Sequence, residues 1–168
     1  MKTKLSLLLL SAVLTGCFNR VRTPEDTLIV GLASAPQTLD PRYATDANGM
    51  RVGTLLFSSL VKLGPDFKPM ADAAESWSYK NHVFSFDLRH DLRFHNGRKV
   101  TPEDIEFSFA QFMAKDSPFA SSLDLIKSVK VGERDGRVKL QLGVRNFSDK
   151  FLVGDLPSIK ILPKKEVL

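Results

Sequence analysis

The six residues from Phe84 to Arg89 alternate strictly. Phe84, Phe86 and Leu88 are apolar, and Ser85, Asp87 and Arg89 between them are polar. Successive side chains of a β-strand point to opposite faces, so the pattern demands a strand with one face in a core and the other in water. Leu92 and Phe94 continue the apolar face after a break at His90-Asp91. Asn96-Gly97 then marks a tight turn, because both residues tolerate positive φ. Thr101-Pro102-Glu103-Asp104 predicts a helix start. Thr101 can cap free amides, and Pro102 suits the first helical position, where an N–H has no partner. Glu103, Asp104 and Glu106 place negative charge at the positive end of the helix dipole. Ile105, Phe109, Phe112 and Met113 form its apolar stripe. Asp135-Gly136 predicts a hairpin, with Val129 and Val131 before it and Val138, Leu140 and Leu142 after it.

The remaining elements follow from shorter signals. Leu28-Ile29-Val30 is an apolar, β-branched run and reads as a buried strand. The stretch from Ala33 to Pro41 carries two prolines and reads as a loop leaving that strand. Val52, Leu55, Leu56 and Leu60 fall at helical spacing within about Asn48 to Leu60. Gly64-Pro65-Asp66 is a turn. Phe147 to Leu156 suggests a short helix and Ile159 to Leu162 one more strand; no closing element is evident at residues 164–168. The fold class is therefore α/β, with mixed sheets and helices.

Composition excludes several functions. Lys2 and Lys4 fall in a leader-like segment, which leaves 22 of the 24 basic residues against 19 acids in the rest of the 168-residue chain. These charges are spread along the chain, so nothing asks for a nucleic acid partner. Twelve phenylalanines against two tyrosines favour packing over polar contact. No catalytic set is evident, and no cofactor is implied. His90 and His95 are five apart and would point to opposite faces of an extended segment, so they cannot share one metal without a bend. Asp87, Asp91, Glu103, Asp104 and Glu106 form no catalytic pair, Arg89 belongs to a wet strand face, and no glycine loop could cradle phosphate.

The N-terminus carries a compartment signal. Lys2 and Lys4 precede the apolar run Leu5 to Leu14, whose ten residues fall short of the roughly 20 that span a bilayer core. Leu14-Thr15-Gly16-Cys17 contains the single cysteine and resembles the lipobox of bacterial lipoproteins. That resemblance implies a signal peptide over residues 1–16, cleavage before Cys17, diacylglycerol on its thiol and a lipidated tether over 17–26. It places residues 27–168 in the cell envelope, lipid-anchored at the periplasmic face of a bacterial membrane. Each buried acyl CH2 contributes about 0.8 kcal/mol, so two or three chains hold firmly.

A second resemblance covers most of the chain. Thr27-Leu28-Ile29-Val30-Gly31 followed by Pro36-Gln37-Thr38-Leu39-Asp40-Pro41 resembles the opening of the family 5 extracellular solute-binding proteins. Ala73-Ala74-Glu75-Ser76-Trp77 is similar to that family's LAESW segment, with Ala73 replacing leucine. Phe84-Ser85-Phe86-Asp87-Leu88-Arg89, Phe94-His95-Asn96-Gly97 and Val100-Thr101-Pro102-Glu103-Asp104-Ile105 follow in the family's order and spacing. The resemblance implies part of lobe I of a two-lobed periplasmic binding-protein type II fold, closing on ligand by a hinge. It implies capture of a peptide or related small solute for an ABC importer, with permease subunits and the membrane as further partners. It puts Ala33, Ser34, Ala35 and Pro36 in the loop facing the cleft. A ligand-sensing or structural surface lipoprotein on the same fold is the alternative.

The departure from the family is one of length. Members are several-fold longer, and the acidic residue that commonly pairs with a peptide's α-amino group has no counterpart here. The expectation is a truncated frame, fragment or degraded gene that leaves sheet edges and apolar faces uncovered and binds no peptide tightly alone.

Overall fold

The structure is a computed structural model, and it describes residues 23–167. The leader 1–16, Cys17 and most of the 17–26 tether lie outside the described residues. The chain divides into two units, residues 1–33 and 34–168. In the first, a turn at Glu25-Asp26 is closed by Thr27 N–H donating to Pro24 O at 3.1 Å. Leu28, Ile29 and Val30 do not form the expected buried strand. They have no strand pairing among the described residues and are 86%, 72% and 58% exposed. An apolar run becomes a buried strand only where neighbouring edges take its N–H and C=O groups and both faces are covered.

The second unit is built on antiparallel pairing. Strands β1 (Val61–Leu63) and β2 (Pro69–Ala71) form a small hairpin around the expected Gly64-Pro65-Asp66 turn. A larger sheet of β3 (Ala74–Lys80), β4 (Val83–Leu88), β5 (Ile126–Arg134) and β6 (Arg137–Val144) runs in the order β3-β4-β6-β5. Phe84, Phe86 and Leu88 are fully buried, alternating with half-buried Val83, Ser85 and Asp87, as the sequence pattern requires. Leu140 and Leu142 oppose Phe86 and Phe84 on the same face. The wet face carries cross-strand ion pairs, Lys139 Nζ to Asp87 Oδ1 at 2.6 Å and Arg137 to Glu75.

Two hairpins set this register. Asp135 and Gly136 have φ of 55° and 72°, both left-handed, between the closing pair Arg134 and Arg137. Asn81 and His82 do the same between Lys80 and Val83, with φ of 50° and 62°. Two left-handed residues match the right-handed twist of the strands they join. The second hairpin lacks a glycine, which hid it from sequence inspection. At Asn96-Gly97 only Gly97 is left-handed (φ 83°), and Asn96 Oδ1 instead accepts from Arg98 N–H at 3.0 Å.

The helix Pro102–Phe112 packs against β5 of the sheet. Helix α1 spans Ala47–Leu56, so Leu60 lies beyond it, and its buried residues are Gly49 and Gly53 rather than the expected leucines. Leu55 and Leu56 are 74% and 41% exposed. Helix α2 spans Pro102–Phe112 with Pro102 in its first turn and a capping box between Thr101 and Asp104. Ile105, Phe109 and Phe112 are buried as expected, and Phe107 joins them; Met113 is the half-buried C-cap. Each large apolar side chain so buried contributes on the order of 1.5–3 kcal/mol.

The C-terminal segment departs from expectation. Residues 151–155 form a π-helical turn and 156–158 a 3-10 turn, close to the expected short helix. Ile159 to Leu162 is buried but is no strand. Ile161 N–H donates to Ser58 O at 2.9 Å and Leu162 N–H to Ser108 Oγ at 2.8 Å, so its polar groups are met one at a time. A closing element does exist: helix α3, Lys164–Val167, whose Glu166 pairs with Arg98.

Candidate functional site

The candidate loop is held on the N-terminus of α1. Asp46 is the N-cap, its Oδ1 accepting from the N–H groups of Asn48 (3.1 Å) and Gly49 (2.9 Å). Its Oδ2 accepts from Gln37 N–H at 3.3 Å. Asn48 Nδ2 donates to Ser34 O at 2.9 Å and to Ser34 Oγ at 2.8 Å. One carboxylate and one amide thus tie residues 34–37 to the helix start. The amide donors of Gly49, Gln37 and Asn48 hold the Asp46 pKa below the usual carboxylate range, against the upward push of desolvation.

A second tie fixes the other end of the loop. Arg42 grips Asp40 in a fork, Nε to Oδ1 at 3.0 Å and Nη2 to Oδ2 at 2.6 Å. Its Nη1 donates to Gln111 Oε1 at 3.1 Å, which docks the loop on α2. The Arg42 hydrogen bond is the main cause of a lowered Asp40 pKa. Between these ties Ser34 and Ala35 are exposed and Pro36 is half-buried. Ser34 O is occupied by Asn48, whereas the N–H and C=O of Ala35 have no partner among the described residues. An extended peptide could use such groups by strand-like addition. Ala33 belongs to the other unit and is exposed. Cys17 lies outside the described residues.

Sequence inspection missed the anchoring residues. Asp46 was legible, because an Asp immediately before an apolar-periodic run is an N-cap signal. Asn48, Arg42 and Gln111 carried no such signal, since their roles depend on contacts 14 and 69 residues away in sequence.

A large cavity lies elsewhere in the same unit. It has a volume of about 1030 Å³ and is open to solvent. Met50 and Thr54 of α1, Leu63 of β1, Phe94, Phe119 and Lys160 are among its walls. Ser34, Ala35 and Pro36 do not line it. Among the described residues, no cluster of three or more His, Cys, Asp or Glu is placed to hold a metal, and no helix is long and apolar enough to cross a membrane.

Residues 68–163, from β2 through the buried C-terminal segment, match the family model described as bacterial extracellular solute-binding proteins, family 5 Middle. The chain belongs to this family. Similar proteins include an oligopeptide-binding protein, AppA, from Bacillus subtilis, 26% identical over 141 residues, which are 82% of this chain and 25% of AppA. A probable D,D-dipeptide-binding periplasmic protein, DdpA, from Escherichia coli is 32% identical over 97 residues, 54% of this chain and 19% of that protein. The crystal structure of NikZ from Campylobacter jejuni in complex with Ni(L-His) superposes with a TM-score of 0.70 at 28% identity, covering 85% of this chain and 28% of NikZ. The mixed helices and antiparallel sheets are those of the type II periplasmic binding-protein fold. The chain spans about a quarter of the length of AppA.

Proposed function

We propose that this chain is the N-terminal portion of the substrate-binding lipoprotein of an ABC importer, capturing peptides or a related small solute for transport. The observation that carries the reading is the family 5 match over residues 68–163 together with relatives that bear peptide-binding names. In this reading Ala33, Ser34, Ala35 and Pro36 offer backbone groups to ligand, while Asp46, Asn48 and Arg42 hold Ser34, Gln37 and Asp40 in place. Cys17 carries the lipid that keeps the protein at the periplasmic face of the membrane, and permease subunits receive the closed, loaded clamp. No covalent chemistry is involved.

Uptake of a radiolabelled tripeptide by cells with and without the gene tests the reading. Reduced uptake in the deletion strain, restored by the gene in trans, is the expected result; unchanged uptake overturns it and leaves a sensing or structural role. The anchor is tested by Cys17→Ser. The variant should remain an unprocessed, unlipidated precursor, and a processed protein that still carries lipid would refute the role given to Cys17.

A further inference from the structure

Lys160 is a buried cation with an incomplete set of partners. The residue is 8% exposed. Its Nζ donates to Pro157 O at 2.8 Å and to Ser59 Oγ at 3.4 Å. An ammonium has three donors, and these two contacts are both to neutral oxygens. Asp72 acts on it only through space, and Asp72 Oδ2 accepts instead from Ser59 N–H at 2.8 Å. Burial pushes the Lys160 pKa down, and Asp72 opposes that push. A buried charge without a paired counter-charge is costly, and proteins meet that cost with a partner or a ligand.

The surroundings say which ligand. Pro157 and Ser59, the two residues that hold Nζ, both line the 1030 Å³ cavity, so the ammonium sits at its wall. The charged lining is cationic: Lys62, Arg93 and Lys160 against the single acid Asp72. The rest is largely apolar, with Met50, Leu55, Leu56, Leu63, Phe94 and Phe119. A cavity with greasy walls and a desolvated ammonium complements a molecule with an apolar body and one negative head.

We propose that this cavity is a binding site for a small organic carboxylate, with the carboxylate on Lys160 and the apolar body against Phe94, Phe119 and the exposed leucines of α1. Ser34, Ala35 and Pro36 are not part of it, so the site stands or falls independently of the peptide reading. A carboxylate here completes the third donor of Lys160 in a charge-assisted hydrogen bond.

Titration of the full chain with hexanoate and with 1-hexanol, its near-isosteric neutral counterpart, tests the site. Calorimetry should show hexanoate binding at least tenfold more tightly than hexanol. In protein labelled with [13C]lysine, hexanoate and not hexanol should move the Cε resonance of Lys160, assigned through Lys160→Arg. Lys160→Met should lose the preference for hexanoate while keeping hexanol affinity. Absence of hexanoate binding, equal binding of the two probes, a stationary Lys160 resonance or a Met variant that retains the preference would each overturn the proposal. Should the Met variant not fold, the probe ratio and the resonance on the unmodified chain decide the question alone.

Discussion

Arg98 lays its guanidinium across both oxygens of Asp104, Nη1 2.8 Å from Oδ2 and Nη2 3.0 Å from Oδ1. Asp104 is 1% exposed and its carboxylate serves five donors in all, adding Thr101 N–H and hydroxyl at 2.9 and 3.0 Å and Lys164 N–H at 2.9 Å. Arg98 also reaches Glu166 Oε2 at 3.0 Å. One buried carboxylate thereby joins the start of α2 to the start of α3. Replacing it by Asp104→Ala leaves the amides of Thr101 and Lys164 without their acceptor. Unfolding in urea should show a loss of about 3 kcal/mol, in the range for a buried charged group whose partners are left behind.

The same junction makes stability depend on pH in a defined direction. Burial pushes the Asp104 pKa up, but Arg98, Thr101 and Lys164 outweigh it and hold the group below the usual carboxylate range. Glu166 is lowered mainly by its Arg98 hydrogen bond. A carboxyl whose pKa is lower folded than unfolded contributes stability above its unfolded value, and that contribution is lost as pH falls through the folded value. The unfolding midpoint should therefore be level above about pH 5 and fall steadily below pH 4, the unfolded carboxylate range. Asp104→Asn should flatten that acid limb in a urea titration series; an unchanged slope would mean the junction is not its source.

His82 occupies a left-handed conformation that a side chain resists. Glycine carries no such penalty, which runs at roughly 1–2 kcal/mol for an ordinary residue and less where hydrogen bonding offsets it. The His82 contribution to the fold is a backbone one, its carbonyl accepting from Val144 N–H at 2.8 Å. His82→Gly keeps that bond and should raise stability by about 0.5–1 kcal/mol, read as a higher denaturant midpoint.

Gly49 presents the opposite balance. Alanine is worth up to about 1 kcal/mol over glycine inside a helix. A Cβ here, however, would fall 2.7 Å from Asp46 Oδ2 and 3.2 Å from Thr38 O. The Asp46 carboxylate that caps α1 and holds Gln37 must move. Gly49→Ala should lower the melting temperature, and hydrogen exchange at residues 34–37 should accelerate relative to the sheet.

Phe84 sits at the centre of the aromatic cluster. It is fully buried, with ring centroids at 4.6 Å to Tyr79 and 5.9 Å to both Phe147 and Phe151. Phe84→Ala should cost about 3–5 kcal/mol, the range for deleting a buried ring. Near-UV circular dichroism and urea unfolding measure it.

Local patterning made much of the second unit legible. The Phe84-Phe86-Leu88 face, the Asp135-Gly136 hairpin and the Thr101-Pro102 helix start each depend on residues a few positions apart, and all three stand as read. Leu28 to Val30 and Ile159 to Leu162 misled, because an apolar run reports a preference for burial and says nothing of which edge will supply hydrogen bonds. The loop at 34–36 was legible as a loop; what holds it was not, since Asn48 and Gln111 look like ordinary helix residues.

The amino-acid order alone therefore settled the Phe84-Phe86-Leu88 strand, the Asp135-Gly136 hairpin, the start of α2 and the family, because period-two alternation and turn chemistry are local and the family motifs are contiguous. Tertiary structure alone decided that Glu166 locks the end of the chain onto Arg98, that Arg42 docks a loop on Gln111 and that Lys160 is buried beside a cavity. Each of those facts depends on groups 68 to 101 residues apart. Charge and polarity are visible in a sequence, but the partner that satisfies them is chosen only when distant segments are brought together and water is excluded between them.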